Sequence, residues 1–191
     1  MTIEVGVIGL QGDVPEHTRA ISAALDGRVR VRAVRATGIL PECDVIAIPG
    51  GESTTISRLL ASTGIDEEVR AHAAAGRPVL ATCAGLIVCA RSVEDPRIDP
   101  LGLLDVTVTR NAFGRQRDSF EAPLAVRGLD DPFPGIFIRA PRIASVGDVE
   151  VLARVGEEPV AVRDGSVVGA SFHPELTEDP RFHRLAIGEA R

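Results

Sequence analysis

"RPVLATCAGLIVCA", residues 77–90, joins two kinds of local order with no linker between them. "RPVLATC" is a short apolar run that predicts a buried strand, and "AGLIVCA" predicts the helix after it. Outward from this stretch the alternation recurs. "IEVGVIG" (3–9) predicts another buried strand. Asp13-Val-Pro-Glu16 then offers a capping residue, a proline for the first helical turn and a glutamate three positions past the cap. A helix over about 15–26 follows. "RVRVRAVRA" (28–36) alternates arginine with apolar residues, as a half-exposed strand near a sheet edge does. "DVIAIP" (44–49) predicts a central strand running into Gly50-Gly51, with helices over about 53–62 and 65–75 beyond it. Strands alternating with helices imply a parallel sheet covered on both faces.

The second half changes character. "LLDVTVTR", "SFEAPLAV", "GIFIRAP", "VEVLARV" and "PVAVRDGSVVGASF" are strand-like, the last as a hairpin turning at Asp164-Gly165. "EDPRFHRLAIGEAR" predicts a closing helix with Pro180 in its first turn. With no linker, repeat or low-complexity segment, residues 1–191 read as one domain. The expected fold is α/β in three layers, its sheet parallel at the centre with antiparallel additions.

Composition removes several function classes. A net charge of −6 with scattered basic residues gives no footprint for a nucleic acid. All 21 basic residues are arginine, so the chain can form no lysine Schiff base and carries no Walker-type lysine. Tyr and Trp, the usual base-stacking platforms, are absent. The start, "MTIEVGVIGLQGD", is interrupted by Glu4 and lacks the basic opening of a signal peptide. No apolar run approaches the ~18 residues of a membrane span, so no membrane partner is expected. Cys43, Cys83 and Cys89 are odd in number and lack metal-ligand spacing, so no metal is expected. They fit reduced thiols in the cytosol.

In open α/β sheets, sites form outside the carboxyl ends of the strands, where Gly50-Gly51, Cys83 and His173 are expected. Cys83 stands at a strand-to-helix turn, the context of a nucleophile elbow, with the following helix dipole favouring thiolate. Taken alone it is equally a small buried apolar residue. Pro174 holds His173 extended, which brings Glu175 to the same side of the chain. The pair is then either a base with its orienting carboxylate or a structural cap on the final helix. Cys83 and His173 lie 90 positions apart, and each gives the other a purpose. Together with Glu175 they make an acyl-transfer set. Gly50-Gly51 reads as a tight turn, a phosphate cradle or, beside a thiolate, an oxyanion hole completed by the amide of Ala84.

"Gly50-Gly51-Glu52-Ser53-Thr54-Thr55", "Thr82-Cys83-Ala84-Gly85" and "Ser171-Phe172-His173-Pro174-Glu175-Leu176" resemble the class I, triad-type glutamine amidotransferases. "GLQGDVPEH" (9–17), "RNAFGRQRDSFE" (110–121), "FIRAP" (137–141) and "SFHPELTEDPRFH" (171–183) are similar to the glutaminase subunits of pyridoxal 5′-phosphate synthase. One departure is Ala81, where glycine is commoner. The resemblance implies a flavodoxin-like sheet and hydrolysis of L-glutamine to L-glutamate and ammonia through a glutamyl thioester on Cys83. It implies that His173 carries protons and Glu175 holds it. Gly51, Glu52, Ser53, Arg110, Ile138 and Arg139 would surround the glutamine, and arginine suits its α-carboxylate. It also implies a synthase subunit as partner, docked where Gln11 and Gly12 lie; the same segment reads locally as an ordinary strand-to-helix turn. Pyridoxal 5′-phosphate would be the product of that complex, with no cofactor on this chain. Two other readings stand beside it: a thiol hydrolase or cysteine peptidase on the same fold, and a non-catalytic regulatory subunit.

Overall fold

The computed structural model describes residues 2–110 and 119–188. The chain alternates as β1 (Ile3–Ile8), α1 (Val14–Ala24), β2 (Val29–Val34), β3 (Val45–Ile48), α2 (Ser53–Thr63), α3 (Ile65–Ala74), β4 (Val79–Thr82) and α4 (Ala84–Cys89). Strands then dominate: β5 (Ala90–Val93), β6 (Leu104–Thr109), β7 (Ser119–Leu124), β8 (Phe133–Ile138), β9 (Arg142–Val146), β10 (Glu150–Val155), β11 (Glu158–Asp164) and β12 (Val167–Ala170). Helix α5 (Arg181–Ile187) closes the described chain.

Among the described residues the main sheet runs β10-β11-β12-β4-β3-β1-β2. β12, β4, β3, β1 and β2 are mutually parallel, and the β10-β11-β12 meander is antiparallel. The arginine-laced β2 is at one edge, as its alternation predicts, and the hairpin turn falls at Asp164-Gly165. Alternate residues of the central strands face opposite layers. Ile46, Ile48, Val79 and Ala81 pack with Ile56, Leu60, Val69 and Leu86 of α2, α3 and α4. Val5, Val7, Val45 and Ala47 pack with Ile21 of α1 and Ile187 of α5. This is the expected three-layer sandwich.

The remaining strands depart from expectation. They extend no central sheet but form two small ones, β5-β6-β9 and β7-β8. The β7-β8 pair covers the sheet beside α5 through Phe133 and Phe137, which pack on Phe172 and Phe182 with ring centroids 5.6–5.9 Å apart. All four rings are fully buried. Truncating such a phenylalanine costs about 3–5 kcal/mol, so the residue before His173 is firmly anchored. Asp13 also departs: it precedes α1 but makes no side-chain cap. No helix among the described residues is long and apolar enough to cross a membrane.

Candidate active site

β1, β3, β4 and β12 end on the same side of the sheet, and their exits deliver Gln11, Gly50-Gly51, Cys83 and His173 to one place. Cys83 is the junction of β4 and α4. Its backbone has φ 49°, ψ −104°, a positive φ that a non-glycine residue adopts only under constraint. The constraint is visible on both sides: Cys83 N–H donates to Ala170 O at 2.8 Å, and Gly85 sits so near β3 that a Cβ there would lie 2.1 Å from Ile48 O. Only glycine lets α4 start this close, which is what turns the thiol outward. The first amides of α4 have no intrahelical acceptor, so Ala84 N–H stands beside the sulfur as an available donor.

His173 N–H donates to Ile136 O at 2.8 Å, tying the exit of β12 to β8. The imidazole lines the same cavity as the Cys83 sulfur, and its Nδ1 lies 2.6 Å from Glu175 Oε1. Burial alone would lower its pKa. The sulfur and the Glu175 carboxylate outweigh burial and raise it to about 10. The same pairing keeps Glu175 below the usual carboxylate range although burial pushes the other way. His173 and Glu175 therefore meet as the sequence suggests, but by another route. Glu175 stands in a 3₁₀ turn, Pro174–Leu176, and not in extended chain.

The rim is ionic. Glu52 caps α2, accepting from Thr55 N–H at 2.8 Å and from the Thr54 and Thr55 hydroxyls. The Thr54 hydroxyl bond and the Thr55 amide outweigh partial desolvation and hold its carboxyl down at about 2. Arg110 bridges two carboxylates, Glu52 Oε1 at 3.0 Å and Asp95 Oδ2 at 2.6 Å. Arg139, exposed and at φ 42°, makes no ion pair with the described residues. Ser53 is 2% exposed, and its Oγ has no hydrogen-bond partner among the described residues.

Cys83, His173, Gly51, Glu52, Ser53, Arg110, Ile138, Arg139 and Gln11 line one cavity of about 410 Å³. A larger hollow of about 1220 Å³ opens at the opposite strand ends, but its lining carries neither thiol nor imidazole. Chemistry favours the smaller one.

Residues 7–190 match the SNO glutamine amidotransferase family. The chain belongs to that family. A Haloarcula marismortui protein named pyridoxal 5′-phosphate synthase subunit PdxT is 62% identical over 191 residues, covering 98% of this chain and 97% of its own. Its Halorubrum lacusprofundi namesake is 61% identical over 189 residues, 97% and 96% of the two chains. A crystal structure described as a glutamine amidotransferase superposes with a TM-score of 0.90 at 47% identity, over 97% of this chain and 98% of its own.

Gly50 lies against the His173 ring, and Gly12 packs so closely on Gly50 that a Cβ would lie 1.9 Å from its carbonyl oxygen. Gln11 Oε1 accepts from Glu52 N–H at 2.6 Å and abuts Gly51. The segment expected to meet a partner thus rests directly on the glycine pair. "RNAFGRQRDSFE" falls largely outside the described residues, with only Arg110 and Ser119-Phe120-Glu121 inside them. Sequence reasoning missed Asp13, Ile87 and Leu176 as cavity walls. Asp13 Oδ2 lies 3.7 Å from His173 Nδ1. The signal was present, since a cap-type residue beside the glycine loop is free to serve the loop instead.

Proposed function

We propose that this chain hydrolyses L-glutamine to L-glutamate and ammonia and delivers the ammonia to a pyridoxal 5′-phosphate synthase subunit. The observation that carries the reading is the meeting, in one cavity, of Cys83 on its positive-φ strand-to-helix junction with His173 and its partner Glu175, within a family of glutamine amidotransferases. In this reading the Cys83 thiolate adds to the side-chain amide carbon, giving a tetrahedral oxyanion. Donors at Ala84 and the Gly50-Gly51 loop would receive that charge; one such donor is worth ~2.7–4 kcal/mol in the transition state. His173 gives its proton to the leaving nitrogen, the C–N bond breaks, and a glutamyl thioester and ammonia remain. Water then attacks the thioester as His173 takes its proton. Collapse breaks the C–S bond and releases glutamate.

Ser53 Oγ, lacking a partner among the described residues, suits a hydrogen bond to the substrate's polar end. Arg139, without an ion-pair partner among the described residues, is the cation for the α-carboxylate. Glu52 is the anion for the α-amino group, and Arg110 balances it. Gln11 and Gly12 touch the loop that would form the oxyanion hole, so docking at this segment is a direct way to set it. No step uses a cofactor, and pyridoxal 5′-phosphate is the product of the complex. We place the reaction in the cytosol, where Cys43, Cys83 and Cys89 remain unpaired thiols.

Ammonia release from glutamine, measured for the purified chain with and without the matching synthase subunit, tests this. Marked stimulation by the subunit is expected. A complex that forms and releases no ammonia would make the chain a regulatory subunit. Activity on peptides but not on glutamine would make it a thiol hydrolase.

A further inference from the structure

Behind the triad lies a layer of buried polar side chains that the reaction above leaves unused. His17, on α1, is fully buried. Its Nε2 lies 3.0 Å from Thr82 Oγ1, the residue before the nucleophile, and 3.5 Å from Glu175 Oε2. That carboxylate oxygen has no hydrogen-bond partner among the described residues, and neither has His17 Nδ1. On the far side His183, from α5 and fully buried, meets the His17 ring edge-on with centroids 5.8 Å apart. The charged or titratable groups facing His17 are Asp13 and Glu16 from its own helix, His173 and Glu175 from the turn after β12, and His183.

The tautomer follows from the neighbours. The Thr82 hydroxyl can donate or accept, but an ionised carboxylate only accepts. A bare Nε2 would point its lone pair at Glu175 Oε2 inside a dry core, where such repulsion is little screened. Hydrogen on Nε2 satisfies Thr82 and presents a positive edge to the carboxylate. Burial disfavours the charged imidazole, so the ring is neutral.

We propose that His17 is a positioning residue for the triad: its neutral Nε2–H, aimed between Thr82 Oγ1 and Glu175 Oε2, supports the ionised Glu175 that orients His173. The proposal rests on the glutaminase reading. His17 touches no substrate. It gives the outer oxygen of Glu175 a reason to stay ionised while the inner one holds His173. His183 packs the ring in place.

The test compares unmutated, His17→Leu and His17→Gln chains in complex with saturating synthase subunit, following ammonia release against glutamine concentration and pH. His17→Leu is expected to lower kcat about 10- to 100-fold, the scale of one close polar contact to a buried charge, with KM little changed. It should also move the acid limb of the kcat profile to higher pH, because Glu175 without that N–H edge beside it protonates more readily. His17→Gln keeps an N–H at the same reach and should recover most of both effects. Full kcat in His17→Leu, an unmoved acid limb, or no recovery by glutamine overturns the proposal. Nitrogen NMR of the unmutated chain gives a readout independent of mutant folding. A neutral His17 protonated at Nε2 is expected near neutral pH, and the Nδ1–H tautomer or an imidazolium would overturn the idea. Silence from the unmutated complex would instead sink the glutaminase reading and the catalytic half of this proposal, leaving the tautomer to be judged by NMR.

Discussion

The floor and the rim of the cavity are built on different principles. On the floor, Cys83, His173 and Glu175 are 8%, 5% and 6% exposed. Cys83 and His173 are each tied by a backbone hydrogen bond to a neighbouring strand, at 2.8 Å in both cases. Their geometry is a by-product of the core, through Gly85 against Ile48 and Phe172 among three other rings. At the rim, Glu52 is 45% exposed and its place is set by α2 capping and by Arg110, itself shared with Asp95. A core holds its geometry whatever the solvent does, whereas a balance of exposed charges can be redistributed by an incoming zwitterion. The floor should therefore govern rate and the rim affinity.

The sharpest way to break this division is at the nucleophile. Cys83→Ala should lower ammonia release by about 10⁴-fold or more while complex formation with the synthase subunit, followed by gel filtration, persists. Next, Glu175→Gln should reduce kcat by as much as about 10⁴-fold, since an amide imposes the wrong tautomer on His173, and leave KM near its original value. Arg139→Ala is the rim's counterpart. Losing one charge-assisted contact should raise KM about 10- to 100-fold with kcat much less affected. A collapse of kcat with KM unmoved would put Arg139 on the floor.

The smallest effects are in stability, and the two regions should fail at opposite ends of the pH scale. His173 is raised from 6.5 to about 10, so its contribution is complete below 6.5 and drains away as pH climbs through about 10. Glu52 is depressed from 4.5 to about 2, so its contribution is complete above 4.5 and disappears as pH falls through about 2. Being half exposed, Glu52 is worth at most about 1 kcal/mol. Urea midpoints of the unmutated chain, His173→Asn and Glu52→Gln across that range would show it. The His173 variant should lose its difference from the parent in alkali and the Glu52 variant in acid.

What the sequence disclosed follows the same line. The central strands, α1 through α4 and the Cys83 junction were legible because burial on two faces imposes uninterrupted apolar runs and sharp stops. The small sheets were not. β9, "RIASV", has one buried residue in five, so no alternation betrays it. β5 follows α4 without a break, and its first residue, Ala90, ends the run that reads as helix. His173 with Glu175 was legible as a pair, yet the 3₁₀ turn that joins them depends on packing against α1, and so does the role of His17. Asp13 looked like a cap because local chemistry permits it; a tertiary neighbour, His173, claims it instead.

The three thiols differ in a way that makes the protein countable. Cys43 and Cys89 are 1% and 0% exposed, and burial pushes both thiols up, Cys89 to about 12. Cys83 alone of the three opens on the cavity. A mild alkylating reagent should thus consume one equivalent per folded chain and stop. The bound label then reports the fraction of a preparation with an intact nucleophile, and a glutamyl group on the sulfur would protect it from labelling.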